Sequence, residues 1–132
     1  MLNKREIDRL IPQAYTALID FGVAEGKKID SAFRGQISSF GAAVAMGSLL
    51  SAVAFFSAQG SSAFKRQNLM KAIYRLIVGE NNAETATVKD TDLFDYVRNN
   101  TSTRQREKET KTAVYNAAIA LKLAMNLFEL KA

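Results

Sequence analysis

From Gly35 to Phe64 the chain carries no charged residue. A run of this length either crosses a membrane or is hidden inside the fold. A spanning helix needs about 20 predominantly apolar residues in a row. Here Gly47-Ser48 interrupts the run, Gly60 ends it, and serines recur at Ser38, Ser39, Ser48, Ser51, Ser57, Ser61 and Ser62. Two buried helices in a tight hairpin account for this pattern better than a span. Asp30 or Ser31 can cap the first of them, with Phe33, Ile37, Phe40 and Val44 on its buried face. Its other face, with Arg34, Ser38, Ala42 and Ala45, is small and flat. Gly47 is placed as a helix stop, and Ser48 can start the next helix. That helix is apolar all round: Leu49, Val53 and Phe56 on one side, Leu50, Ala54 and Phe55 over most of the rest. Such a helix lies at the centre of a core or is covered by a partner.

The flanking segments also read as helices. The chain has one proline, Pro12, and seven glycines, so long stretches can be helical. We therefore expect an all-α fold, residues 1–132 forming a single-domain bundle of about five or six helices. The first helix is expected from Lys4 to Val23, capped by Asn3, with Ile7, Leu10, Ala14, Leu18 and Phe21 buried and a kink or late start at Pro12. Gly22 to Lys28 reads as a loop. A fourth helix is expected from Ser62 to Gly79, with Leu69, Met70, Ile73, Leu76 and Ile77 inward and Asn68, Lys71 and Arg75 outward. Glu80 to Thr91 reads as a polar loop, followed by a short helix from Asp92 that Thr91 can cap. The last helix is expected from Thr103 to Leu130. Val114, Ala118, Leu121, Met125 and Phe128 form one apolar stripe, and Ile119, Leu123, Leu127 and Leu130 a second.

Several function classes are excluded outright. The sequence holds no cysteine and no histidine. Disulfides, thiolate or imidazole metal sites, and histidine-base or cysteine-nucleophile chemistry are therefore impossible. The start, MLNKREIDRL, is charged at once and lacks a signal-peptide core, so the expected compartment is the cytoplasm. Gly35, Gly41 and Gly47 do not have phosphate-loop spacing; small residues at a helix crossing explain them. Asp90, Asp92 and Asp95 are the one carboxylate cluster, able in principle to hold magnesium. Asp92, however, stands where a helix begins, and negative charge is favourable there. No catalytic residue, cofactor or metal is expected.

The net charge of +5 is unevenly spread. Residues 1–30 balance, residues 31–79 carry five cations and no acid, residues 80–95 are net −4, and residues 96–132 net +4. Segregation of this kind suits a polyanionic partner such as nucleic acid, or simply a solvated surface. Arg104, Lys108, Lys111, Tyr115 and Lys122 fall within about 60° on a helical wheel and span about 27 Å. The cations can neutralise phosphates and Tyr115 can stack on a base. Glu107 and Glu109 lie close by. Arg34, Lys71 and Arg75 form a second, acid-free candidate group. The apolar faces exceed what one small core needs, which points to an assembly component.

Four segments together resemble a known family: LIPQAYTAL, FRGQISSFGAAVAMGSLLSAVAFFS, LMKAIYRLI and AVYNAAIALKLAMNLFELKA. The most specific part is Phe33-Arg34-Gly35, followed by Gly47 and the AFFS end of the third helix. In order and spacing they resemble the small subunit of the type III-B CRISPR–Cas effector, the Cmr complex, over almost the whole chain. The resemblance implies a small, all-α, non-catalytic subunit that stacks in several copies beside the backbone subunits. The partners it implies are those subunits, CRISPR RNA and target RNA, with no membrane. The equivalent subunit of a type III-A or type I effector, another helical nucleic-acid-binding scaffold, a small metal-dependent nuclease using Asp90, Asp92 and Asp95, and a membrane-associated hairpin are the other readings.

Overall fold

In the computed structural model, which describes residues 3–58 and 64–131, the Asn3 side chain accepts the Glu6 N–H and opens helix α1, Lys4–Asp20. The expected buried stripe is buried, from Ile7 to Phe21. Pro12 does not delay the helix, which runs through it without interruption.

The expected loop after α1 is a hairpin. Strand β1, Ala24–Glu25, pairs antiparallel with β2, Lys28–Ile29. Gly26 supplies the positive φ, +62°, at the first position of its two-residue turn. The last helix supplies the third strand. Helix α6 spans Arg104–Met125 and stops short of the expected Leu130. The chain then turns, and β3, Glu129–Leu130, pairs parallel with β2. Backbone bonds to a sheet outweigh another turn of helix here. They satisfy both chain segments at once and bury Ile29 and Phe128.

Asp30 caps α2, Ser31–Met46, by accepting the Ala32 N–H. Gly47 ends that helix, though not through a left-handed turn: its φ is −136°. A Cβ there would lie 3.0 Å from the Ala43 carbonyl oxygen, a tight contact that favours glycine. Ser48 caps α3, Leu49–Ser57. Helix α4, Arg66–Val78, ends at Gly79 with φ +95°. Its expected start at Ser62 lies outside the described residues. Within the polar segment that follows, Glu80–Asn82 makes a 3-10 turn and Ala83 and Val88 are buried. Helix α5, Asp92–Asn99, begins at Thr91, but the Thr91 side chain makes no capping bond. Instead Asp92 accepts the Lys89 N–H at 2.9 Å.

Six α-helices and one small sheet thus make up the described residues, around one hydrophobic core. Helices α1 and α6 form the most extensive contact. They run parallel: Asn3 N–H donates to Asn116, and twelve residues on, Tyr15 stacks on Phe128 with centroids 4.7 Å apart. Helix α2 runs antiparallel to α6, with Arg34 meeting Asn126 and Gly47 meeting Lys111. Among the described residues, no helix is long and apolar enough to cross a membrane.

Candidate nucleic-acid interface

The antiparallel packing of α2 on α6 joins residues from both basic groups. The Arg34 guanidinium donates to Asn126 Oδ1 at 3.0 Å. About 20 Å along α2, at 1.5 Å per residue, Lys111 Nζ lies 3.5 Å from the Gly47 carbonyl oxygen. Between these ends is a cavity of about 220 Å³, lined by the small residues Gly41, Ala42 and Ala45 together with Ile37 and Ile119, and by Tyr115, Lys122 and Ser38. The small, flat face of α2 is the reason the cavity exists. Alanines and a glycine leave open the space that larger side chains would fill.

Arg104 and Lys108 continue the same face of α6 beyond the end of α2, and both are exposed. Among the described residues, Arg34, Arg104, Lys108, Lys111 and Lys122 make no ion pair with a carboxylate. Five cations along one groove and its extension create a positive field with few local counter-charges. Such a field attracts a polyanion without reading its sequence.

The second expected group does not assemble. Arg75 is 4 % exposed and points inward, not outward. Its Nε donates to the Ala83 carbonyl at 2.9 Å, Nη2 to Thr85 at 2.7 Å, and Nη1 pairs with Asp20 at 2.6 Å. Its guanidinium also lies 4.5 Å from the Phe21 ring centre. Arg75 therefore ties the 80–85 segment to α1 and is removed as a phosphate ligand. Lys71 pairs with Asp90 at 3.3 Å, on the side of α4 that meets the acidic segment. Neither residue shares a surface partner with Arg34.

The carboxylates are each engaged. Asp90 holds Lys71, Asp92 receives the Lys89 N–H, and Asp95 pairs with Arg98 at 3.4 Å. Among the described residues, no cluster of three such groups could hold a metal ion. Nearby on α4, burial, with Asp92 and Tyr96 beside it, raises the Tyr74 phenol above its ordinary pKa.

The apolar surplus is real but differently placed. Of the second stripe, Leu123, Leu127 and Leu130 are exposed, yet Leu127 and Leu130 lie past the end of α6. A larger open groove, about 480 Å³, runs between the end of α2 and α3. Met46 is 87 % exposed at its edge and Phe55 61 %, with the Arg66 guanidinium 4.4 Å from the Phe55 ring centre. Compared with family models, curated proteins and solved structures, the chain matches none of them.

Proposed function

We propose that the chain is a non-catalytic small subunit of a type III-B CRISPR ribonucleoprotein complex, stacking in several copies and holding target RNA by its phosphates in antiviral defence. Its place among such complexes rests on the sequence resemblance. Its role as a phosphate-binding surface is supported by one observation above all: Arg34, Lys111 and Lys122 converge on the α2–α6 groove with no carboxylate partner. Arg104 and Lys108 extend that line. Exposed Met46 and Phe55 supply the uncovered apolar surface that an assembly subunit requires.

A salt titration of binding to fluorescent single-stranded RNA tests the proposal. Reversing Arg34, Lys111 and Lys122 to glutamate should reduce the salt slope by about 2, since each phosphate lost from a single strand removes about 0.7. The helical circular dichroism should stay unchanged. An unaltered slope sinks the phosphate-binding role. Copurification with the backbone subunit of a type III-B complex, as against a type III-A or type I complex, assigns the assembly.

A further inference from the structure

We propose that the α2–α6 cavity receives one nucleobase of a single strand, stacked against Tyr115, while phosphates on either side of it along the same strand sit on Lys111 and on Lys122. The inference rests on the phosphate-binding reading above and goes beyond it, because it assigns a base and not only a backbone.

Gly41 is the observation that starts it. This residue is buried in the interior of α2, where glycine is the weakest helix former short of proline. Packing does not require it: a Cβ built there meets no atom within 4 Å. Its backbone has no positive φ to explain it either. Gly41 forms part of the cavity lining. The fold thus leaves open, at a cost in helix propensity, a space that an alanine would begin to close.

Size and chemistry then select the occupant. The cavity is about 220 Å³, below the range of about 300–1,000 Å³ that takes drug-sized ligands. One planar heterocycle suits it. Gly41, Ala42 and Ala45 project little into it, Ile37 and Ile119 add apolar wall, and the half-buried Tyr115 supplies an aromatic ring. Along the α6 axis Tyr115 stands about 6 Å from Lys111 and about 10 Å from Lys122. The two cations are thus about 16 Å apart along the axis, more than one nucleotide step, so a strand following the groove can set non-adjacent phosphates on them with the stacked base in between. The Ser38 hydroxyl and Lys122 ammonium can bond to the edge of that base, but stacking dominates. It is tolerant of sequence, because every base has a π-face.

The test compares two fluorescent strands of equal length, an ordinary single-stranded RNA and one with abasic sugars at every position. Both carry the same phosphates. The wild-type chain should bind the ordinary strand about tenfold more tightly, as expected for one stacked base. Gly41→Leu, which fills the cavity, should abolish that preference and leave the salt slope intact. Gly41→Ala should weaken the preference while raising Tm by roughly 2–4 °C. If circular dichroism shows Gly41→Leu to be misfolded, Tyr115→Leu gives the same comparison. No preference in the wild type, or a preference that survives both variants, overturns base capture and leaves phosphate binding standing. Binding without any salt dependence overturns both.

Discussion

Arg34 on α2 and Arg75 on α4 both belong to the stretch from residue 31 to 79 that has no acid, yet their surroundings differ completely. Arg75 has lost almost all contact with solvent and holds Asp20, Thr85 and the Ala83 carbonyl. Arg34 is half-buried beside a groove, and its partner, Asn126, is neutral. The acid that claims Arg75 lies 55 positions away in sequence. A cation's availability is thus decided by what the topology brings to it. Helix α4 faces the 80–95 segment and α1, both of which carry acids. The α2–α6 groove faces neither.

The largest expected effect breaks the buried side of this comparison. Arg75→Ala leaves the Ala83 carbonyl unpaired and Asp20 without its partner. It should cost about 2–4 kcal/mol, read by chemical denaturation. A loss below about 1 kcal/mol would mean that Arg75 is not the tie described. An intermediate effect converts one side into the other. Asn126→Asp gives Arg34 an acidic partner and should lower the salt slope of RNA binding by about 0.7, while stability rises by no more than about 1 kcal/mol. An unchanged slope would show that Arg34 carries no phosphate. The smallest effect is expected at Lys71. Its pair with Asp90 is partly exposed, so Lys71→Gln should cost under about 1 kcal/mol and leave the RNA salt slope unaltered. A lowered slope would return Lys71 to the interface.

Much of the fold was legible in the sequence because its signals are local. Asn3, Asp30 and Ser48 each cap within three residues, and Thr103 caps α6 in the same way by accepting the Arg106 N–H. The stripe from Phe33 to Val44 needs only helical spacing. Some failures are local, such as the Thr91 cap that does not form and the 24–29 hairpin read as a loop; those at Arg75 and at the end of α6 are long-range. On a helical wheel Arg75 lies with Asn68 and Lys71, which is why it reads as outward; Asp20 and Thr85 are invisible from that wheel. The end of α6 has no glycine or proline after Met125, so nothing local announces it. The pairing of Glu129–Leu130 with a hairpin a hundred residues earlier decides it. The candidate site divides the same way. The α6 stripe of cations was legible as a helix face. Its junction with Arg34, and the cavity at Gly41, depend on α2 running antiparallel to α6.

That parallel β2–β3 pair, with α1 laid along α6, also governs when the protein can fold. Residues 3–20 find their largest helical neighbour only in residues 104–125. During synthesis, which proceeds from the N-terminus, α1 emerges from the ribosome early and waits. Helix α4 can cover part of its apolar stripe earlier, but the larger part stays exposed until α6 has cleared the exit tunnel and β3 has closed onto β2. Folding of this chain is therefore expected to be a late, concerted event, dominated by contacts distant in sequence.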